Sequence, residues 1–240
     1  MDHESYFIDL HTHILPCMDD GSPDLETSVE MLKQLKQQGV HTVILTPHFY
    51  TDREDLKDFL NRRAMSIQLL HPMTEQLGMT VLPACELYFT DYIFNNENIS
   101  PLCIPNGKYI LTELPFSCPF SDSTFDRISR LMGTLNVIPI LAHIERYPRL
   151  MKDENCLERL LHMGCLTQIN LDSLTSGFSL RKKLLNLIRE GLVHVVGTDC
   201  HNLISRSPRY HDGIQIIEKA LGREYVETLM NQSLQIIQSR

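Results

Sequence analysis

Histidines and carboxylates recur along this chain in a pattern that suits cation chemistry. The first is His11-Thr12-His13, followed by Asp19-Asp20-Gly21. Then come His48, Glu86, Glu113, His143, and the run Asp199-Cys200-His201. Imidazole mixed with several carboxylates suits borderline divalent ions such as Mn²⁺, Fe²⁺ or Zn²⁺, and nothing in the set demands thiolate. Eight or nine donors exceed what one ion takes, so two or three ions are expected. Paired ions clamp a phosphate and generate hydroxide from water near neutral pH. Each residue alone is weak: a lone HxH or a strand-end glutamate is commonly incidental. Their shared position relative to the strands is the stronger argument.

Two arginines fall close to the last members of this set. Arg146 follows His143 by three residues and Arg206 follows His201 by five. A guanidinium matches phosphate oxygens with paired hydrogen bonds and stabilises charge that develops in phosphoryl transfer. A competing reading uses the same stretch: Cys200 to Arg206 is Cys-x5-Arg, the spacing of thiolate phosphatases, which need no metal. Those loops use glycine for a tight amide cradle, and His-Asn-Leu-Ile-Ser has none. If Asp199 and His201 are extended toward the metals, Cys200 faces away.

The elements that must position these residues are short apolar runs: 7–10, 42–45, 80–84, 109–114, 137–142, 166–171 and 193–197. Their Val, Ile and Leu content fits strands covered on both faces. Helical patterns alternate with them at about 23–38, 53–77, 122–135, 155–163, 180–190, 210–221 and 223–231. In the first, Leu25, Val29, Leu32 and Leu35 form a stripe facing a core, with Ser22 as cap, Pro23 at the first position and Gly39 just past the end. The segment 95–107 reads as a surface loop. Seven strands alternating with helices call for a parallel sheet, and a closed or nearly closed barrel of seven units fits better than an open one. In such a barrel all strand carboxyl ends share one mouth, where active sites are built. Six of the seven ends carry a ligand-type residue, so positions nearly 200 apart converge. His3, His41, His71, His162, His194 and His211 lie elsewhere and are assigned no function.

Residues 1–240 read as one domain, with no Ser/Gly/Pro-rich divide. A formal net charge of −8 disfavours nucleic-acid binding, which needs clustered Lys and Arg. No run approaches the roughly 20 apolar residues of a membrane span. The polar, acidic start is no secretory signal, and seven cysteines without CxxC spacing suit a reducing cytoplasm.

Ile8-Asp9-Leu10-His11-Thr12-His13, Ala142-His143-Ile144-Glu145-Arg146-Tyr147 and Thr198-Asp199-Cys200-His201-Asn202 together resemble the polymerase-and-histidinol-phosphatase (PHP) superfamily. Asp-Asp-Gly after HxH and His-Ile-Glu-Arg-Tyr resemble, more narrowly, its bacterial protein-tyrosine phosphatases of capsule and exopolysaccharide synthesis. The resemblance implies the PHP fold, a distorted seven-stranded TIM-like β/α barrel, with a trinuclear, usually manganese-dependent site. It implies as metal ligands His11, His13, Asp20, His48, Glu86, Glu113, His143, Asp199 and His201, with Arg146 and Arg206 on the phosphate. His201 or Asp199 would manage a proton. The implied substrate is phosphotyrosine in the tail of a tyrosine kinase that controls polysaccharide export. A histidinol-phosphate phosphatase, a polymerase-associated nuclease and a non-catalytic metal-binding regulator are the alternatives.

Overall fold

The computed structural model describes residues 7–105 and 107–238. β1 (Phe7–Thr12) leads to α1 (Leu25–Gln37). β2 (Val40–Leu45) continues into β3 (His48–Tyr50) ahead of α2 (Leu56–Leu77), and β4 (Thr80–Pro83) continues into β5 (Glu86–Tyr88). Then follow β6 (Tyr109–Glu113), α3 (Asp122–Leu135), β7 (Ile138–Leu141), α4 (Pro148–Lys152), α5 (Glu154–His162) and β8 (Leu166–Asn170). The chain finishes with α6 (Phe178–Arg189), β9 (Val195–Gly197), α7 (Tyr210–Leu221) and α8 (Arg223–Gln238). His3 lies outside the described residues.

Every strand pairing is parallel, as crossover helices require. The ladders form two sheets, β1-β2-β4 and β3-β5-β6-β7-β8-β9. The seven expected strands are present, but the second and third are each broken in two. Pro47 has no N–H to donate, yet its carbonyl accepts from Glu86 N at 3.0 Å, and Leu45 O accepts from Ala84 N at 2.9 Å. Thr46 fills the break: its hydroxyl donates to Thr12 O at 3.0 Å and accepts from Thr12 N at 2.9 Å. The last strand returns beside the first. Thr12 bridges Cys200, His13 N donates to Cys200 O at 2.9 Å, and Asp199 N donates to His11 O at 2.8 Å. The architecture is a distorted TIM-like β/α barrel.

Ile8, Leu10, Ile44, Leu111, Ile140 and Val195 pack into one cluster. They come from strands that are not all neighbours, so they meet inside the barrel and fill it below the strand ends. A larger apolar layer, including Leu32, Leu35, Val43, Phe59, Ile110, Leu131, Leu157, Ile169, Leu184 and Ile217, lies between strands and helices.

Three local expectations need correction. α1 is capped by Asp24, whose carboxylate accepts from Thr27 N at 2.8 Å, while Ser22 is buried and donates to Asp24 O. Pro23 therefore precedes the helix, and the buried face runs through Ser28, Met31, Leu32 and Leu35, leaving Leu25 exposed and Val29 at the margin. The segment 95–107 is no mere surface loop: Ile99, Leu102, Cys103 and Ile104 are buried, with a 3-10 turn at Ser100–Leu102. α8 runs on to Gln238, past the expected stop near 231, because Val226, Leu229, Ser233 and Ile236 continue its buried stripe. Among the described residues no helix is long and apolar enough to cross a membrane.

Candidate metal centre

The carboxyl end of β1 delivers two imidazoles with fixed tautomers. His11 Nδ1 donates to the Gln168 carboxamide oxygen at 3.2 Å, and His13 Nδ1 donates to Asp19 Oδ2 at 2.6 Å. Each ring is left with Nε2 as its lone-pair atom, and those two atoms face each other at 3.1 Å. Both rings are fully buried. Two lone pairs held that close need a proton or a cation between them.

Carboxylates from other strands close on the same point. Glu86 Oε2, at the start of β5, lies 3.1 Å from His11 Nε2, 3.2 Å from His13 Nε2 and 3.1 Å from His48 Nδ1, while Oε1 lies 2.9 Å from His143 Nε2. Glu113, at the end of β6, lies 3.6 Å from His143 Nε2. Burial and the adjacent Glu86 push the Glu113 carboxyl up to about 7. Asp199 Oδ1 is 3.3 Å from His11 Nε2 and 3.4 Å from His13 Nε2. His201 donates from Nδ1 to the carbonyl of Asp199 at 2.9 Å, so its Nε2 is free and lies 3.4 Å from Asp20 Oδ1. His48 Nε2 is 3.6 Å from the same oxygen. Burial pushes His48 down to about 4 and lowers His201 as well, so both are neutral, the form a cation requires.

The donors fall into three overlapping groups whose atoms lie within 4.8 Å of one another: His11, His13, Glu86 and Asp199; His13, Asp20, His48 and His201; and His48, Glu86 and Glu113. Of the sequence-derived ligands, His143 alone stands outside these groups, paired instead with Glu86 and Glu113. His48 Nδ1, Glu86 Oε2, His143 Nδ1, Asp199 Oδ1 and His201 Nε2 are buried without a hydrogen-bond partner. Unsatisfied polar atoms in this number are costly, each worth about 1–3 kcal/mol. Divalent cations offset that cost, and the mixed nitrogen and oxygen donors without thiolate fit borderline ions. Glu86 belongs to two of these groups and spreads its two oxygens over several imidazoles. The residues present therefore fit more than one ion.

Asp199 joins this cluster to the arginines. Its Oδ2 accepts from Arg146 Nη2 at 2.8 Å, Arg206 Nη2 at 2.6 Å and Asn170 Nδ2 at 2.8 Å, while Oδ1 faces the histidines. Both guanidiniums remain about one-third exposed, with further N–H groups available to a ligand. Asp199 is not extended as expected: its φ is +53°, and His143 has φ +34°. Left-handed backbone at two non-glycine residues turns each side chain off its strand end, at a cost of order 1–3 kcal/mol apiece.

The thiolate reading finds no cradle here. The amides of Ile204, Ser205 and Arg206 all donate to Asn202 Oδ1, at 2.9, 2.8 and 3.2 Å. Those of His201 and Asn202 donate to Arg206 O, so the loop is closed on itself. Cys200 is fully buried in the core, and burial together with Asp9 drives its thiol well above the ordinary range.

Several residues that shape the site were not expected. Asp19 orients His13 and also accepts from His48 N at 2.8 Å and Gly21 N at 2.9 Å. Burial works against its charge, but His13 and these amides hold its carboxyl well below the usual range. Gln168 holds His11 and also accepts from His143 N at 2.7 Å, and its Nε2 donates to Asn170 Oδ1 at 2.9 Å. A relay of amides thus runs from His11 through Gln168 and Asn170 to Asp199. Of the seven expected strands, β8 alone ends without an expected ligand, and it carries Gln168 and Asn170, which orient His11 and Asp199. Gln168-x-Asn170, polar at every second position of an apolar strand, was the available signal.

Comparison with known proteins agrees with this geometry. Residues 7–238 match the family described as capsular polysaccharide synthesis, CpsB/CapC. The tyrosine-protein phosphatase YwqE of Bacillus subtilis is 31% identical over 230 residues, covering 90% of this chain and 86% of that protein. The tyrosine-protein phosphatase CpsB of Streptococcus pneumoniae is 30% identical over 236 residues, covering 92% and 94%. A solved structure from work on YwqE and CpsB, described as unique metal-dependent tyrosine phosphatases, superposes with a TM-score of 0.81 at 26% identity, covering 98% of this chain and 95% of that one. With ligand-type side chains gathered at the strand ends and a match that spans nearly every residue, the chain belongs to the CpsB/CapC family.

Proposed function

We propose that this chain is a metal-dependent protein-tyrosine phosphatase, acting as one catalytic unit in the cytoplasm on a phosphotyrosine-bearing protein. The substrate is the tail of a bacterial tyrosine kinase of capsule or exopolysaccharide synthesis. The observation that carries the reading is Asp199, which presents one oxygen to two arginines, each about one-third exposed, and the other to the Nε2 atoms of His11 and His13. His11, His13, Asp20, His48, Glu86, Glu113, His143, Asp199 and His201 would hold two or three cations, with Mn²⁺ the first choice and Fe²⁺ or Zn²⁺ next. Such ions supply Lewis acidity toward phosphoryl oxygens and lower the pKa of water.

The chain's own groups do the remaining work. Arg146 and Arg206 take the outer phosphoryl oxygens with the N–H groups not committed to Asp199, and so orient the ester and balance its charge. Asp19, Gln168 and Asn170 keep His11, His13 and Asp199 in place, so that little reorganisation accompanies reaction. Water oxygen bonds to phosphorus, the bond from phosphorus to the tyrosine oxygen breaks, and that oxygen takes a proton. His201 and Asp199 line the site as its proton-handling candidates.

Hydrolysis of a phosphotyrosyl peptide tests the reading. Chelation abolishes turnover and Mn²⁺ restores it, while Cys200→Ser keeps most of it. Turnover that survives complete removal of cations, or is lost in Cys200→Ser while its cations and fold are intact, would refute the assignment.

A further inference from the structure

β3 and β5 carry the same two-step pattern, His48-x-Tyr50 and Glu86-x-Tyr88, and they pair in register: His48 with Glu86, Tyr50 with Tyr88. Side chains two apart share a face, so the tyrosines stand one repeat, ~6.7 Å, beyond the ligand rung toward the mouth. Tyr88 is in turn level with Glu113 on β6. The Tyr50 ring lies 5.3 Å from His48 and 5.4 Å from Tyr88, and the Arg53 guanidinium sits 4.1 Å over it as a backing. Three residues past Glu113, Phe116 sets its ring edgewise to His143 at 5.5 Å and to Tyr147 at 5.9 Å, 6.0 Å from the Arg146 guanidinium. Phe116 is nonetheless 46% exposed. Covering that ring with an apolar group removes its surface from water, which is favourable.

From this arc we infer that Tyr50, Tyr88 and Phe116 select aryl phosphates by contacting the ring of the leaving group. The inference rests on the phosphatase reading and adds its basis for choosing phosphotyrosine over phosphoserine. A phosphate engaged by the ligand rung and by Arg146 carries its ester group outward, to the level at which these rings stand. An aryl group there gains offset or edgewise ring contacts and covers Phe116; an alkyl ester gains neither.

The test uses Mn²⁺-loaded protein with Phe116→Leu, Tyr50→Leu and the conservative Phe116→Tyr. Leucine keeps apolar bulk, so folding is preserved. Binding of benzylphosphonate is compared with that of methylphosphonate. Hydrolysis of phenyl phosphate is compared with that of a fluoroalkyl phosphate whose alcohol is about as acidic as phenol, which removes leaving-group chemistry from the comparison. Each leucine variant lowers the benzyl-over-methyl binding ratio by about two- to tenfold and raises KM for phenyl phosphate more than it lowers kcat. Phe116→Tyr keeps the ratio. An unchanged ratio in both leucine variants, or equal loss on both phosphonates, overturns the inference. Selective benzylphosphonate binding without hydrolysis of any ester would instead sink the phosphatase reading and leave the aromatic selection standing.

Discussion

Neighbouring aspartates divide the labour at the first strand end. Asp20 is largely exposed and points an oxygen at His48 and His201, whereas Asp19 is buried and touches only N–H groups. Asp19→Ala is therefore expected to lower cation affinity about 10- to 100-fold, with turnover largely regained at saturating Mn²⁺; metal titration against activity checks this. Arg146→Ala and Arg206→Ala should each reduce kcat/KM by about 10²–10³. The double variant should fall short of the product, because both guanidiniums meet on one oxygen of Asp199 and on one phosphate. Glu113, pushed up to about 7 by burial and Glu86, holds a proton below that pH in the metal-free protein. A cation must displace it, so apparent affinity should rise with pH until the carboxyl has ionised near 7 and gain nothing more from Glu113 above that. Calorimetry in buffers of different ionisation enthalpy reads the released proton. At this scale the donors were legible because carboxylates and imidazoles beside apolar strand ends demand an explanation. Asp19, Gln168 and Asn170 were not, because neutral amides and one of two adjacent acids raise no such demand.

Strands and helices were largely readable from their periodicity, and the misses have local causes. The pattern of β2 stops at Pro47, yet the chain continues as β3 because Thr46 replaces the ladder bonds with its hydroxyl. The burial of Ile99, Leu102, Cys103 and Ile104 is not legible in the sequence because these residues follow no regular period. α1 starts later than its sequence suggests, since Ser22 and Asp24 both suit the cap position and only the fold shows Ser22 buried beneath the helix. Close approach of elements was also invisible. A Cβ on Gly197 would lie 2.6 Å from His11 Cβ and 2.9 Å from His11 N, and one on Gly21 would lie 2.2 Å from His13 O. Gly197→Ala should cost about 1–3 kcal/mol in denaturant unfolding and shift His11, with reduced metal stoichiometry. Unchanged stability and full loading would show that β1 and β9 can part without consequence.

Across the whole molecule, the cations are expected to stabilise the fold as well as serve the reaction. Their removal leaves His48, Glu86, Asp199 and His201 with buried polar atoms unpaired. Chelated protein should unfold at lower temperature than Mn²⁺-saturated protein, by a margin that grows with cation concentration, reaching about 2.7 kcal/mol per site at a hundredfold excess over Kd. Differential scanning calorimetry at several Mn²⁺ concentrations measures it.

The seam between the first and last strands has a temporal consequence. His13 meets His201, and His11 meets Asp199, beside the bridge from Thr12 to Cys200, so the earliest donors wait for the latest ones. While β9 is still being made, the nascent polypeptide lacks Asp199 and His201, so its pocket of donors is incomplete. A fragment that stops short of residue 199 lacks Asp199 and His201 and is expected to be inert toward a phosphotyrosyl peptide.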